Sequence, residues 1–297
     1  MQLVAPGLSL PLTHSSPSPP LARSWGGRLG GAAALVAIYV LLGSALRLDA
    51  NAYLVLGVPL ALGFQRFVAR APLRAAWVRD GEPFRFERRL VVRAIVFALA
   101  PLLSIVDVIH LRSWPAAAAV VAGVVGAFGL AYARGAVPRG GLARLLRGAV
   151  VAAVPAIVVL GGYALLHEET LHVQLPTWGV AAVVGGISFA QYVPVCFAVE
   201  EVLFRGVLDS YVAQASDGPR ARAATAVILS ALWGLWHLPL VLKAGMGASA
   251  VASMVGLMLL VHVVAGLALT AAWRWRGTLL VPAVAHALVD AVRNALM

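Results

Sequence analysis

Residues 178–206 read WGVAAVVGGISFAQYVPVCFAVEEVLFRG, an apolar stretch that ends in two adjacent glutamates and an arginine. No Asp, Glu, Lys or Arg occurs between Glu169 and Glu200, so the stretch is long enough to cross a hydrocarbon layer. An ionised side chain at the centre of a transmembrane helix costs roughly 2.5–3.5 kcal/mol. Glu200 and Glu201 are therefore expected to have a function within the membrane.

The composition extends this interpretation to the whole chain. Its 297 residues are 61% hydrophobic and 12% charged, and the mean hydropathy is +0.90. Soluble globular domains carry about 25% charged residues. Strands that lie alone in lipid leave backbone groups unpaired. The chain is therefore predicted to be all-α, a polytopic transmembrane helix bundle of eight or nine spans with the active site inside the bundle.

Nine apolar segments are the candidate spans. They are Leu29–Leu46, Asn51–Phe67, Leu90–Ile109, Trp114–Ala133, Gly148–Leu166, Trp178–Val199, Ala223–Leu242, Ala248–Trp273 and Gly277–Ala295. The gaps between them are alternately rich and poor in arginine, which predicts that the N-terminus and the Arg-rich gaps are cytoplasmic. The net charge of +11 is thus explained by topology, and no nucleic-acid partner is predicted.

Three regions are predicted along the chain. Residues 1–28, rich in Pro and Ser, are expected to form a disordered cytoplasmic leader. Residues 29–182 are predicted to be N-terminal transmembrane helices, which contain no motif that assigns them a role. Residues 183–297 are predicted to be a catalytic transmembrane core.

Helical spacing relates the three charged residues that end the opening stretch. Glu201 and Arg205 are four residues apart, so they share a helix face and can form an ion pair. Such a buried pair is expected to hold a conformation more than to add stability. Glu200 is rotated by about 100° from Glu201 and is predicted to point toward a cavity.

Two further motifs place imidazoles in later apolar segments. Trp233 lies one turn before His237 and is expected to line the same pocket, and His286 and Asp290 share a helix face. If the three helices meet, Glu200 would join these residues inside the bundle. A carboxylate base, two imidazoles and a further polar group are the composition of a site that activates water for hydrolysis.

The order Glu-Glu-x-x-x-Arg, aromatic-x-x-x-His and His-x-x-x-Asn/Asp on successive helices resembles the CPBP family. This family comprises type II CAAX prenyl endopeptidases and bacteriocin-processing or immunity proteins, and is also called the abortive-infection family. The resemblance covers roughly residues 183–296. It implies that Glu200 activates water, that His237 and His286 are the motif histidines, and that Asp290 is the last polar position.

The resemblance also implies a supporting role for Glu201 and Arg205, and two positions depart from the family pattern. Trp233 stands where Phe is usual, and Asp290 stands where prenyl-processing members have Asn. An amide can donate a hydrogen bond to an oxyanion, whereas an ionised carboxylate cannot. Asp290 is therefore expected to be protonated, to orient His286 or to ligate a metal, which argues against a prenylated CAAX substrate.

Two mechanisms fit these residues. In one, Glu200 deprotonates water while His237 and His286 stabilise the oxyanion without metal; the resemblance favours this one. In the other, the same three residues ligate zinc, which lowers the pKa of the bound water. The His-Glu-x-x-His spacing of common zinc peptidases is absent from the sequence. His262 matches no motif position and is expected to make an interhelical hydrogen bond.

The predicted function is that of an intramembrane endopeptidase, glutamate-type or metal-dependent, that cleaves a membrane-anchored protein or peptide near the bilayer. The predicted location is a bacterial inner membrane, as a multi-pass protein, because the basic residues are almost all arginine. A C-terminal sorting signal or a peptide is the candidate substrate. The alternative functions are a non-enzymatic transporter, an ion-binding protein and an immunity scaffold.

Overall fold

The computed structural model describes residues 24–46, 48, 50–103, 114–137, 141–166, 177–216, 218–242 and 247–296. These residues are almost entirely helical, and they contain no strand beyond an isolated antiparallel bridge between Val78 and Thr278. The predicted all-α helix bundle is therefore confirmed.

The α-helices differ widely in length. They are α1 (Trp25–Ala45), α2 (Ala50–Val55), α3 (Gly57–Gly63), α4 (Arg88–Leu103), α5 (Trp114–Gly135), α6 (Leu142–Leu166), α7 (Trp178–Cys196), α8 (Ser210–Ala213), α9 (Gly218–Trp236), α10 (Leu238–Leu242), α11 (Ala248–Arg276) and α12 (Leu280–Leu296). Phe64–Val68 and Phe197–Asp209 are π-helical, and Leu73–Ala76 is a 3-10 turn. Helix α1 begins inside the predicted leader, and residues 1–23 of that leader lie outside the described residues.

Six helices of the described part of the chain are long and apolar enough to cross a membrane, so the predicted count of eight or nine spans is too high. The six are Trp25–Ala45, Ala117–Gly135, Leu142–Tyr163, Trp178–Ala213, Gly218–Leu240 and Ala248–Arg276. The predicted second span is broken into α2, α3 and a π turn. Helix α4 has 16 residues and α12 has 17, fewer than the roughly 20 that a span needs. Residues 104–109 of the predicted third span lie outside the described residues.

Several Arg-rich segments meet at one end of the bundle. The Arg79 N–H donates to the Gly277 carbonyl at 2.8 Å. Arg274 makes two hydrogen bonds to the Asp209 carboxylate, at 2.6 and 3.1 Å, and donates to the Arg222 carbonyl at 2.8 Å. These contacts join the segment before α4, the end of the π-helical stretch, the start of α9 and the end of α11. This clustering is what the alternating arginine pattern predicts.

The π-helical stretch Phe197–Asp209, here called the π segment, continues α7 without a break. Together with α8 they form one helical rod, Trp178–Ala213, of 36 residues. Every residue of the π segment is buried. The sequence predicts an α-helix here, whereas the structure has the wider π turn, with bonds from residue i to i+5. Such turns often occur at functional sites.

Two glycines allow neighbouring backbone to approach this rod. Gly126 of α5 faces the Pro194 carbonyl, and Gly206 of the π segment faces the Ala76 carbonyl. A Cβ atom at either position would overlap the carbonyl opposite it. Only glycine fits at these contacts, which fix the rod against α5 and against the segment before α4.

Candidate active site

Four helical elements bring polar side chains together inside the bundle. The π segment carries the two glutamates and the arginine of the opening motif, α11 carries His262, and α12 carries His286. Helix α9 ends at Trp236, and His237 follows it immediately. The His237 N–H bonds to the Gly234 carbonyl at 2.9 Å, so the last helical turn extends to the histidine.

The π segment, α9 with the residue that follows it, and α12 converge at one oxygen of Glu200. Trp233 Nε1 donates a hydrogen bond to Glu200 Oε2 at 2.6 Å. The same oxygen lies 3.6 Å from His237 Nε2 and 3.9 Å from His286 Nε2. The predicted meeting of the glutamate with both motif histidines is therefore confirmed as geometry. Their catalytic roles stay a prediction.

The two histidine rings have the same orientation toward that oxygen. His237 Nδ1 lies 3.0 Å from the Trp233 carbonyl oxygen, and His286 Nδ1 lies 2.9 Å from Glu201 Oε1. A carbonyl or carboxylate oxygen can only accept, so Nδ1 of each ring carries a proton. Each Nε2 therefore faces Glu200, as an acceptor when the ring is neutral and as a donor when it is protonated.

These atoms also form a donor set that suits zinc. Glu200 Oε2 and the two Nε2 atoms supply one oxygen and two nitrogens, which are common zinc ligands. Glu201 holds the far side of the His286 ring, as carboxylates behind metal-binding histidines do. A second set, Cys196, His286 and Asp290, has ligand atoms within 4.8 Å of one another. Because both sets use His286, they are alternatives.

Glu201 and Arg205 form the predicted ion pair and also contact the rest of the site. Arg205 Nη1 lies 3.2 Å from Glu201 Oε1, and the two side chains are 2% and 0% exposed. The Arg205 guanidinium lies 4.0 Å from the centre of the Trp233 ring. Glu201 thus holds His286, and Arg205 lies over the tryptophan that binds Glu200.

Asp290 lies beside His286, with two partners that the motif does not include. Its Oδ1 accepts an ion-pair contact from Arg293 Nη1 at 3.0 Å. Its Oδ2 lies 3.4 Å from Cys196 Sγ and 3.6 Å from His286 Nε2. Orientation of His286 and ligation of a metal are both compatible with this arrangement, and the role of Asp290 stays a prediction.

His262 lies at the site although no motif includes it. Its ring centre is 4.3 Å from that of His237 and 4.5 Å from that of Trp233, which it meets edge to face. Its Nδ1 is 2.6 Å from the Met258 carbonyl oxygen, one turn earlier on α11. Among the described residues His262 makes this hydrogen bond within α11 and not the expected interhelical one, and it contacts Trp233 and His237 through its ring.

Residues 172–292 match the family described as type II CAAX prenyl endopeptidase Rce1-like. The match covers 121 of the 297 residues and supports the family resemblance that the motifs carry. No curated protein and no solved structure matches the chain significantly.

The Rce1-like region contains all seven predicted site residues, and it includes His262. The resemblance inferred from the motifs is thus confirmed. The Rce1-like match and the six apolar helices of the described residues support an integral, multi-pass membrane protein. Helices α1 to α6 precede the matched residues.

Three contacts at the Rce1-like site were not predicted from the motifs. Trp233 was expected only to line the pocket, but its indole N–H binds Glu200 directly. Helical spacing could have predicted the contact between Arg293 and Asp290, because the two residues are three positions apart. Cys196 carries no such signal, because its contact with Asp290 depends on how α7 and α12 pack.

Proposed function

We propose that the protein is an intramembrane endopeptidase in which Glu200 activates the water that attacks a peptide bond. The observation that carries this proposal is the position of Glu200 Oε2, which lies within 4 Å of the Nε2 atoms of both His237 and His286. The match of residues 172–292 to the Rce1-like family supports the reaction class.

Glu200 is suited to act as the general base. The hydrogen bond from Trp233 Nε1 fixes one carboxylate oxygen, so the group does not have to reorganise when a water molecule approaches. Glu200 takes a proton from that water as the oxygen attacks the scissile carbonyl. The proton then passes to the departing amine, which completes hydrolysis.

His237 and His286 are placed to stabilise the oxyanion. With Nδ1 committed to a protein acceptor, a protonated ring presents Nε2–H toward the reacting group. Asp290, held by Arg293, lies 3.6 Å from His286 Nε2 and balances the charge of that ring. Asp290 thus orients the imidazole where Asn would have donated directly.

A metal-dependent mechanism is a second candidate. The orientation of the two histidine rings is as compatible with this mechanism as with the metal-free one. Zinc held by Glu200, His237 and His286 would supply a bound water of lowered pKa. The protein residues would then orient the substrate and the ligands, with Glu201 behind His286. Inhibition by a chelator and recovery with added zinc would identify this mechanism.

The proposed substrate is a membrane-anchored protein or peptide that is cleaved close to the bilayer. The family description suggests a CAAX-type tail, whereas Asp290 in place of Asn favours a tail without a prenyl group. Assays should therefore compare a farnesylated CAAX peptide, the same peptide without the prenyl group, and a single-span protein with a C-terminal sorting signal.

The test is cleavage in liposomes that contain the purified full chain and each of these substrates. Mass spectrometry would identify the new termini. Glu200→Gln should lower the cleavage rate by about 10²–10⁴-fold, as loss of a general base does. Glu87→Gln, which removes an exposed carboxylate that contacts none of the named site residues, should leave the rate unchanged.

Two results would contradict the proposal. An active Glu200→Gln protein would remove the general base from the mechanism. Failure of the wild-type protein to cleave any of the three substrates, with normal folding by gel filtration, would favour the transporter or scaffold alternatives.

A further inference from the structure

A groove of about 680 Å³ lies between α6 and α11, away from the residues of the candidate site. Its deeper walls consist of small or apolar side chains from both helices: Gly148, Val151, Ala152, Ala268, Ala271 and Ala272. Its mouth is lined by Arg144, Arg147, Trp275 and Arg276. The groove therefore has a cationic end and an apolar body.

The three arginines at the mouth have no acidic partner among the described residues. No ion pair or side-chain hydrogen bond involves Arg144, Arg147 or Arg276 in that part of the chain, and no carboxylate lines the groove. Arg276 lies over the Trp275 ring at 3.8 Å. Arg274, two residues earlier, is by contrast paired with Asp209 at 2.6 Å. No carboxylate of the described residues thus compensates the positive charge of the mouth.

A second cavity continues from the mouth on the other side of two of these arginines. It has a volume of about 260 Å³, and it shares Arg144 and Arg276 with the groove. Its other walls include Thr278 and Val281, at the start of α12. Arg144 and Arg276 therefore line both cavities.

The directions of α6 and α11 place the charged residues at one end of the groove and the apolar residues along its length, as in an amphiphilic molecule. Helix α6 runs away from the Arg-rich end and α11 runs toward it, so both bring arginine to the same end. From Arg144 to Ala152, and from Ala268 to Arg276, eight residues span about 12 Å along each helix. Trp275, 73% exposed, has the amphipathic ring that is common at the membrane–water interface.

We infer that this groove binds one anionic phospholipid, with its phosphate between the three arginines and an acyl chain along the small residues of α6 and α11. Guanidinium groups bind phosphate in a bidentate manner, and the apolar walls match a hydrocarbon chain. Topology alone requires arginines in the gaps between spans. It does not require arginines from two helices to gather over one groove.

Native mass spectrometry of the detergent-solubilised full chain tests this inference. Palmitoyl-oleoyl phosphatidylglycerol and palmitoyl-oleoyl phosphatidylcholine would be titrated separately, because they share acyl chains and differ in charge. We expect one phosphatidylglycerol to bind at least tenfold more tightly. The triple variant Arg144→Gln, Arg147→Gln, Arg276→Gln should weaken that binding by about 100-fold, at roughly 1 kcal/mol per arginine.

The matched control removes the same charge from the same end of the bundle. Arg85→Gln, Arg88→Gln, Arg89→Gln changes three exposed arginines that line neither cavity, and it should leave the tight site intact. Equal loss in both triple variants would overturn the inference, because diffuse surface charge would then explain the binding. Equal affinity for the two lipids would overturn it as well.

The apolar half of the groove is tested by Ala271→Phe, which fills it at an exposed position and keeps every arginine. This variant should weaken phosphatidylglycerol binding several-fold. Inorganic phosphate and glycerol 1-phosphate serve as competitors. If either displaced the lipid at equal concentration, or if Ala271→Phe had no effect, the site would be a phosphate site without an acyl groove and the lipid assignment would be wrong.

Discussion

The candidate active site and the arginine groove show two opposite ways in which a membrane protein holds charge. At the active site every named ionisable side chain contacts another protein group, and most are nearly inaccessible. In the groove three arginines face a cavity without a carboxylate among the described residues. The difference suggests that the first cluster is arranged to act on a molecule within the protein, and the second to bind one from the lipid.

The largest expected effect comes from breaking a pair at the active site. Arg205→Ala leaves Glu201 buried without its cation, and it should lower the free energy of unfolding by about 3–5 kcal/mol. Arg144→Ala removes an arginine that has no ion-pair partner among the described residues, so it should change stability by less than about 0.5 kcal/mol. Thermal unfolding of both variants in the same detergent measures the contrast. Equal losses of stability in the two variants would contradict the proposed difference between the two regions.

The hydrogen bond from Trp233 to Glu200 is expected to matter for rate more than for stability. Trp233→Phe keeps a ring in place and removes the N–H that binds the carboxylate. Hydrogen bonds to charged groups contribute about 1.5–3 kcal/mol, so the cleavage rate should fall about 10- to 100-fold.

The matched control for Trp233 is Trp273→Phe. The Trp273 indole nitrogen is buried without a hydrogen-bond partner among the described residues, so its loss should leave the rate unchanged. A normal rate in Trp233→Phe would mean that Glu200 is oriented by other contacts.

The contact between Asp290 and Arg293 predicts that substitutions there are not additive. Asp290→Asn restores the side chain usual in prenyl-processing relatives, but it removes the partner of Arg293. Asp290→Asn, Arg293→Gln and the double variant form a cycle. Its coupling free energy, from the cleavage rates, should be about 0.5–3 kcal/mol. Additive effects would show that Arg293 does not hold Asp290 in place.

The smallest expected effect concerns His262. If its ring acts through packing against His237 and Trp233, His262→Phe should keep the cleavage rate within about twofold, while His262→Ala should lower it by about two- to tenfold. A large loss in His262→Phe would instead indicate that an imidazole nitrogen is required.

Local spacing was enough to predict the contacts that lie within one helix. Glu201 with Arg205 and His286 with Asp290 follow from residues four apart, and both pairs are close in the structure. The meeting of Glu200 with the two histidines was inferred from motif order and the family resemblance. Spacing could not give it, because it depends on how the π segment, α9 and α12 pack.

The features that were missed depend on backbone geometry or on packing between helices. Apolar composition predicts a span from length alone, and it does not show that Ala50–Val68 breaks into short helices. Nothing in the residue pattern distinguishes the π turn at Phe197–Asp209 from an α-helix. The direction of the Trp233 N–H likewise depends on how α9 packs against the π segment. The ring contact of His262 depends on how α11 packs against α9.

The bridge between Val78 and Thr278 has a consequence for how this protein can be divided. Two main-chain bonds, from Arg79 to Gly277 and from Leu279 to Trp77, tie the turn before α12 to a segment that precedes the matched residues by almost a hundred positions. That turn leads directly into the helix that carries His286. A chimera that contains residues 172–292 alone would lose both of these bonds just before α12. The segment that contains Trp77 and Arg79 therefore helps to position the helix that carries His286.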